Sequence, residues 1–183
     1  MALIQNIDSS ILYFIQNHIQ NQFFNPIMIF ITNLGNMGLI WITIAIALLF
    51  TNKFRKVGIL MLCALIINTI LGEIILKNVF QRARPFNTLQ HLQLLIKEPQ
   101  SYSFPSGHTS SAFACAIILA YYVKKVAVPS IILACLIAFS RVYLTVHYPS
   151  DVLAGIVLGI ISAVITIYLH KLYSKRINKN TFS

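Results

Sequence analysis

Three groups of side chains in this chain have the residue types that bind and transfer a phosphate. In order, they are Lys77 and Arg84, then Pro105-Ser106-Gly107-His108, then Ser140-Arg141 with His147 and Asp151. The sequence is 57% hydrophobic and only 10% charged, yet each group lies where an apolar stretch ends. Because charged side chains near bilayer depth are costly, their recurrence usually marks a functional site.

The first chemical requirement is a set of donors for an anion. A phosphoryl group in transfer spreads negative charge over its oxygens, so fixed cations and N–H donors stabilise it. Lys77, Arg84 and Arg141 would supply three cations. Ser106 and Gly107 precede an apolar stretch, and the start of a helix there would add free backbone N–H groups and the positive end of its dipole. We expect these five residues to hold a phosphate.

Two histidines and a carboxylate could carry out the transfer itself. A neutral imidazole can act as a covalent nucleophile. Asp151 could fix the tautomer of His147 and stabilise the positive charge that develops on it. The second histidine, His108, could protonate the leaving oxygen and later activate water. This division of roles calls for no metal ion and no other cofactor.

The remainder of the sequence is typical of a membrane scaffold. Its mean hydropathy is +0.77, and several apolar stretches approach the roughly 20 residues that a helix needs to cross the hydrocarbon core. A length of 183 residues suits one domain. We therefore predict an all-α polytopic membrane bundle of about five transmembrane helices, forming a single integral membrane domain over residues 1–183.

The N-terminal segment, residues 1–33, is expected to lie at the membrane interface. One apolar residue in every four makes a stripe on an otherwise polar stretch, which predicts an amphipathic interfacial helix over 7–23. The stripe consists of Ile7, Ile11, Ile15, Ile19 and Phe23. Proline and glycine then interrupt residues 25–38, which we interpret as a re-entry into the first span.

Residues 34–77 are predicted to hold spans one and two, over 34–50 and 57–77. Residues 78–104 form a long outward-facing loop, and long loops in compact domains are usually functional or disordered. Residues 105–170 hold spans three to five, over 106–123, 126–146 and 150–169, and residues 171–183 form a basic cytoplasmic tail.

The net charge of +10 is distributed as membrane topology would distribute it, so we expect no nucleic-acid partner. Nine of the fourteen Lys and Arg residues fall in the 51–56 and 124–125 connections and the tail, on one predicted side. Short basic connections are typical of the cytoplasmic side. The three groups of candidate site residues lie on the other predicted side of the membrane and should face outward. Arg82 is a further candidate for a phosphate or headgroup contact, and Glu73, four residues before Lys77, should pair with it.

The pattern Lys77-x6-Arg84-Pro85, Pro105-Ser106-Gly107-His108 and Ser140-Arg141-x5-His147-x3-Asp151 resembles the three-part signature of the type 2 phosphatidic acid phosphatase superfamily. Every position of that signature is occupied. The resemblance implies metal-independent hydrolysis of a phosphate ester or anhydride through a phosphohistidine. His147 would be the nucleophile, Asp151 its partner and His108 the general acid. The phosphate-binding residues would be Lys77, Arg84, Ser106, Gly107 and Arg141.

Bacterial lipid phosphatases of this superfamily with an outward-facing site are similar in size and layout. The resemblance therefore implies a multi-pass protein of the plasma or inner membrane, with the site on the periplasmic or extracellular face and the C-terminus in the cytoplasm. Its partner would be an anionic membrane lipid. Phe24 through Asn33-Leu34-Gly35-Asn36 resembles the short undecaprenyl pyrophosphate phosphatases, which makes undecaprenyl pyrophosphate the first choice of substrate.

Several alternatives remain open from the sequence. The lipid could instead be phosphatidylglycerol phosphate, phosphatidate or a lipid A phosphate. The phosphohistidine could pass its group to a lipid acceptor, which would make the protein a phosphotransferase. A non-catalytic anion or lipid transporter would explain the cations, but it gives no reason for a His–Asp pair and a second histidine. The sequence leaves the oligomeric state undecided.

Overall fold

Apolar stretches and their breaks divide residues 2–181, the part of the chain that the structure describes, into nine α-helices. The computed structural model describes the backbone of residues 2–181 and the side chains of residues 3–177. The helices are α1 (Ala2–Phe14), α2 (Phe24–Leu34), α3 (Leu39–Leu49), α4 (Arg55–Thr69), α5 (Lys77–Phe80), α6 (Pro85–Thr88), α7 (Gly107–Tyr122), α8 (Ala127–Tyr143) and α9 (Pro149–Thr181). Within residues 2–181 there is no β-strand, so the predicted all-α class is confirmed.

Two π-helical segments extend these helices. Ile15–Ile19 continues α1, and Ile70–Leu76 joins α4 to α5 in one continuous helix from Arg55 to Phe80. This helix ends at Gln81, whose φ of 43° is left-handed. Lys77 therefore lies in its last turns, as the apolar run that precedes it predicts.

Three described helical segments are long and apolar enough to cross a membrane: Arg55–Thr88, Lys124–Tyr143 and Pro149–Ile177. Phe24–Leu34 and Asn36–Leu49, bent by 47° at Gly35, make a fourth if they count as one span. α7 has 16 residues, which is shorter than the other candidates. The described residues thus form an all-helical structure with three to four candidate membrane spans, while the count of five spans stays a prediction.

The first span differs from its prediction over 34–50. Helical structure begins at Phe24, and the break falls at Asn36–Gly38, where Met37 and Gly38 have φ of 50° and 71°. The 25–38 segment predicted as a re-entry is therefore mostly helical: it comprises most of α2 and the bend that joins α2 to α3. At the other end of the chain, α9 runs without interruption to Thr181, so residues 171–181 extend the last helix.

α7 is the central helix, and it packs against α4, α8 and α9. Its side chains are buried on nearly every face, and many of them are small: Ser110, Ser111, Ala112, Ala114, Cys115 and Ala116. α9 approaches so closely that a Cβ on Gly155 would come within 2.8 Å of Ser106 O, and one on Gly159 within 2.5 Å of Ser110 O. Small residues allow such backbone contact between membrane helices.

This packing brings the start of α9 against the start of α7. The backbone N–H of Ser106 donates to Asp151 O at 3.1 Å. The end of α8 joins the same end of the bundle through the 144–148 turn, where the N–H groups of Val146 and His147 both donate to Arg141 O. All three predicted groups of side chains therefore lie at one end of the bundle. This is expected, because successive spans run in opposite directions.

α1 and its extension pack on this end of the bundle through a face that shares only part of the predicted stripe. Asp8 and Leu12 are buried, and so is Ile15 of the stripe, whereas Ile7, Ile11 and Phe23 of the stripe are exposed. The helix also begins at Ala2, and its extension ends at Ile19. The periodicity thus identified a mostly unpacked apolar face. That face suits a lipid interface. The face that packs on the bundle includes the buried carboxylate of Asp8.

Candidate active site

The ends of four helices and the 89–106 loop enclose a cavity of about 420 Å³. Six of the eight predicted site residues line it: Lys77, Arg84, Gly107, His108, Arg141 and His147. Ser106 and Asp151 are fully buried next to lining residues: Ser106 precedes Gly107, and Asp151 Oδ2 lies 3.6 Å from His147 Nδ1. Ile42, Leu65 and Met37 line the cavity on the side of α3 and α4. A polar end and an apolar side therefore share one cavity.

His147 is buried at the base of the cavity, in the connection between α8 and α9. Its Nε2 lies 3.1 Å from Nη1 of Arg84. A guanidinium only donates hydrogen bonds, so Nε2 is the acceptor and the ring proton belongs on Nδ1. Nδ1 lies 3.4 Å from Ser103 Oγ and 3.6 Å from Asp151 Oδ2. The unprotonated nitrogen therefore faces the cations of the cavity.

The charge state of His147 follows from its surroundings. Burial disfavours the imidazolium and, together with the nearby cations Arg84, Arg141 and Lys77, lowers the pKa of His147 well below 6.5. The imidazole is therefore neutral at physiological pH, which is the form that can attack an electrophile.

Arg84 is oriented by the backbone around it. Its φ and ψ of −78° and 158° are extended, as expected for a residue before a proline. Its Nε donates to Ser101 O at 2.7 Å, and its Nη1 donates to Val146 O at 2.8 Å. The fork of the guanidinium is thus held against His147 by contacts from both sides.

Lys77 is buried beside Arg84, and one serine connects the two. Lys77 Nζ lies 2.8 Å from Glu73 Oε2 and 3.0 Å from Ser101 Oγ. Ser101 Oγ also accepts from Arg84 Nη2 at 3.2 Å. The expected ion pair of Glu73 with Lys77 is therefore present, and Ser101 sets the spacing of the two cations.

Arg141 is buried in the opposite wall of the cavity with few partners. Its Nη1 donates to Thr32 Oγ1 at 2.5 Å. Its Nε has no hydrogen-bond partner among the described residues. Buried charged donors normally have partners, so the free donor capacity of Arg141 suits an anion bound in the cavity.

The Pro105–His108 run begins α7 at the cavity wall. Ser106 is the N-cap residue, and its Oγ lies 2.9 Å from Thr109 Oγ1. A Cβ on Gly107 would meet Glu73 Oε1, so the carboxylate that pairs with Lys77 would have to shift to admit a side chain there. These two residues leave the first backbone N–H groups of α7 close to the cations.

His108 meets the break between α2 and α3. Its Nε2 lies 2.8 Å from Asn36 Oδ1, and Asn36 Nδ2 donates to Asn33 Oδ1 at 3.0 Å. A Cβ on Gly35 would come within 2.9 Å of His108 Cδ2, so the ring packs directly on that glycine. The Asn33–Asn36 segment thus contributes to the site by orienting the second histidine.

Several residues of the site were not predicted. Ser101, Ser103, Thr32 and Asn36 make the contacts described above, but short polar residues in a loop or helix carry no distinctive pattern. Asp8 has a weak signal, because it is one of only four acids in the chain. Arg82, the further candidate for a phosphate or headgroup contact, bonds to Asp8 and Asp151 and does not line the cavity.

Residues 56–175 match the sequence profile of the PAP2 superfamily. An undecaprenyl-diphosphatase from Sulfolobus acidocaldarius is 36% identical over 157 residues, covering 85% of this chain and 75% of that protein. The undecaprenyl-diphosphatase BcrC of Bacillus subtilis is 33% identical over 145 residues, covering 77% and 72%. The transmembrane PAP2 type phosphatidylglycerolphosphate phosphatase from Bacillus subtilis is similar in structure, with a TM-score of 0.77, 29% identity and coverage of 93% and 88%. The resemblance carried by the three motifs is thus confirmed, and the chain belongs to the PAP2 superfamily.

Proposed function

We propose that the protein is a membrane lipid phosphatase that removes the terminal phosphate of a lipid pyrophosphate or phosphate through a phosphohistidine. The observation that carries this proposal is the orientation of His147, whose unprotonated Nε2 lies 3.1 Å from Arg84 at the cavity wall. A phosphate bound by Lys77, Arg84 and Arg141 would meet this nitrogen. The free donor of Arg141 supports the same position for the anion.

The first half-reaction transfers the phosphoryl group to the protein. The lone pair on His147 Nε2 leaves its hydrogen bond with Arg84 Nη1 and forms a bond to the terminal phosphorus, and the bond from phosphorus to the bridging oxygen breaks. His108, which enters this step as an imidazolium, donates its proton to that leaving oxygen and becomes neutral. The imidazole becomes positively charged, and Asp151, with Ser103 Oγ at 2.5 Å from its Oδ2, stabilises the charge from the Nδ1 side.

The second half-reaction restores the enzyme. Water attacks the phosphorus of the phosphohistidine, and His108 accepts the proton that the water loses. The bond from phosphorus to Nε2 breaks, inorganic phosphate leaves, and His147 is again neutral. The cations of Lys77, Arg84 and Arg141 stabilise the equatorial oxygens in both transition states, as preorganised charges do in phosphoryl transfer.

Undecaprenyl pyrophosphate is our first choice of substrate. Two relatives at 36% and 33% identity are undecaprenyl-diphosphatases. The apolar side of the cavity, formed by Ile42, Leu65 and Met37, would accept the first part of a lipid tail. Phosphatidylglycerol phosphate is the second candidate, because the similar solved structure is a phosphatidylglycerolphosphate phosphatase.

We further propose that the site faces outward from the plasma or inner membrane. The connections that carry Lys53, Arg55 and Lys56, and Lys124 and Lys125, belong to the helix ends away from the cavity. Such basic connections favour the cytoplasm. The lipid would then be presented to the protein from the outer leaflet.

The direct test is phosphate release by the purified protein from undecaprenyl pyrophosphate and phosphatidylglycerol phosphate in the same detergent. We expect turnover of the first to exceed that of the second, and loss of both in His147→Ala. His18→Ala is the matched control, because His18 is exposed on the N-terminal segment.

An alkaline quench after brief exposure to labelled substrate should trap phosphohistidine in the wild type. A labelled lipid product in place of free phosphate would indicate phosphotransfer, and full activity of His147→Ala would refute the mechanism.

A further inference from the structure

Arg82 connects three parts of the chain outside the cavity. Its Nη1 donates to Asp151 Oδ1 at 2.6 Å and to Ser150 Oγ at 2.7 Å. Its Nη2 donates to Asp8 Oδ2 at 2.8 Å and to Gln5 Oε1 at 2.9 Å. Its guanidinium lies 4.0 Å from the centre of the Tyr148 ring. One side chain thus contacts α1 and both sides of the turn that carries the histidine partner.

We propose that Arg82 and Asp8 are positioning residues, which hold Asp151 in the orientation from which it supports His147. The inference rests on the proposed function, because it assigns Asp151 the role of partner to the nucleophile. Neither Arg82 nor Asp8 lines the cavity. Their action therefore passes through the carboxylate of Asp151.

The two carboxylate oxygens of Asp151 have separate partners. Oδ1 accepts from Arg82, while Oδ2 accepts from Ser103 Oγ at 2.5 Å and from the N–H of Tyr148 at 3.0 Å. Oδ2 is also the oxygen that faces His147 Nδ1. Because Arg82 holds Oδ1, the carboxylate cannot rotate to present its other oxygen or tilt away from the ring. Asp151 has no exposed surface, so water does not replace these contacts.

Asp8 holds Arg82 and the start of α9 together. It is 2% exposed, and its Oδ1 accepts from the N–H of Ser150 at 2.9 Å. Its Oδ2 accepts from Ser150 Oγ at 2.5 Å as well as from Arg82. A carboxylate at the N-terminus of a helix interacts favourably with the free N–H groups there. α1 thus supplies, from another helix, a cap for the turn in which Asp151 lies.

The contacts form a chain from α1 to the cavity: Asp8, Arg82, Asp151 and His147. A role limited to fastening α1 would make Arg82 matter for stability alone. If Arg82 positions Asp151, replacing Arg82 should slow the chemical step, and it should do so only when residue 151 is still an aspartate. The two hypotheses therefore predict different effects of Arg82 substitutions on kcat.

The experiment uses the full chain, purified in detergent, with the lipid that the wild type hydrolyses best. We expect Arg82→Gln to lower kcat about tenfold, the size of a lost hydrogen bond to a charged group, with KM within about twofold of the wild-type value. Asp8→Asn should lower kcat less, and Arg82→Lys should restore part of it. Lys97→Gln is the matched control, because Lys97 is an exposed cation between α6 and α7, on the same connection from α5 to α7.

A double-mutant cycle with Asp151→Asn separates positioning from simple fastening. If Arg82 acts through Asp151, Arg82→Gln should reduce kcat little further once Asp151 is replaced. Wild-type kcat in Arg82→Gln, a loss confined to KM, or the same tenfold loss in the Asp151→Asn background would each overturn the proposal.

Hydrogen exchange distinguishes failure of this inference from failure of the proposed function. In Arg82→Gln, the amides of residues 3–19 should exchange faster than in Lys97→Gln, whatever the substrate. Unchanged exchange there would overturn the linkage between α1 and Asp151. If the wild type hydrolyses lipid and His147→Ala does not, while Arg82→Gln keeps full kcat, the positioning role alone is wrong.

Discussion

His147 Nδ1 and Asp151 Oδ2 lie 3.6 Å apart, and the hydroxyl of Ser103 lies beside both atoms. Ser103 Oγ is 2.5 Å from Asp151 Oδ2 and 3.4 Å from His147 Nδ1. A separation of 3.6 Å is too long for a good N–H···O bond. In the proposed mechanism, Asp151 would therefore act on the imidazole through its charge and through the serine that it holds.

Ser103→Ala tests this arrangement. We expect kcat to fall about tenfold, because the imidazolium loses a hydrogen-bonding neighbour worth about 1.4 kcal/mol in the transition state. Asp151→Asn should cost about a hundredfold or more, since it removes the charge itself. Steady-state phosphate release measures both. Ser174→Ala, at the far end of α9, should behave like the wild type, and wild-type kcat in Ser103→Ala would show that Asp151 needs no intermediary.

The site residues differ in how far the sequence could predict them. Lys77, Arg84, Arg141, His147 and Asp151 stand out because charged and titratable groups are rare in an apolar chain. Ser103 and Asp8 do not. Ser103 lies 48 residues from Asp151, and Asp8 lies 142 residues from Ser150. Such contacts depend on how helices pack, and no local spacing encodes them.

The same distinction applies to the helices. The positions of the apolar runs predicted α4, α8 and α9, because a span is a local property of composition. The sequence predicts a re-entry over residues 25–38, but it does not predict the helix α2 in that segment or the position of the break at Asn36–Gly38. The ring of His108, from a helix distant in the sequence, packs on Gly35 at this break. The packed face of α1 was missed because it includes Asp8, which pairs with Arg82 and Ser150 in the folded protein.

The lowered pKa of His147 predicts a pH dependence of stability. An unfolded histidine binds a proton near pH 6.5, whereas the buried one stays neutral to well below that pH. The unfolded state therefore binds more protons in this window, and stability falls as the pH drops below 6.5. The limiting slope is about 1.4 kcal/mol per pH unit for one proton.

The measurement compares the thermal unfolding of the wild type and His147→Gln in detergent between pH 8 and pH 5. The melting temperature of the wild type should fall more steeply below pH 6.5, because glutamine does not titrate. Above pH 7 the two curves should run parallel. Parallel curves throughout would show that the imidazole accepts a proton in the folded protein as readily as in the unfolded one.

Thr32→Val should remove the hydrogen bond that orients the guanidinium of Arg141. Thr32 is 1% exposed, and its hydroxyl accepts the hydrogen bond from Arg141 Nη1. Loss of an acceptor for a buried charged donor costs about 1–3 kcal/mol. We expect the inhibition constant of inorganic phosphate to rise about fivefold or more, because the Arg141 guanidinium would no longer be held in the orientation that binds the anion.

The control for this change is Thr43→Val. Thr43 is exposed on α3, and its hydroxyl bonds to Leu39 O within the same helix. The same loss of a hydroxyl there should leave the inhibition constant unchanged. An unchanged constant in Thr32→Val as well would mean that Arg141 keeps its orientation through the cavity wall alone.

Gly159→Ala should separate α9 from α7. A Cβ at this position would lie 2.5 Å from Ser110 O, 2.8 Å from Phe113 Cβ and 3.0 Å from Ala114 N. Two of these atoms belong to the backbone of the central helix and cannot move aside. Such overpacking costs about 1–3 kcal/mol, so we expect a lower melting temperature. The bond from Ser106 N–H to Asp151 O joins the same two helices, so kcat should fall too.

Gly72→Ala provides the contrast, because a Cβ there would meet only Leu158 Cδ2, at 3.0 Å. The end of a leucine side chain can rotate away, so this variant should melt and turn over nearly as the wild type does. If Gly159→Ala melted at the wild-type temperature, α9 would have room to shift, and the close approach of the two helices would not be what holds Asp151 against the start of α7.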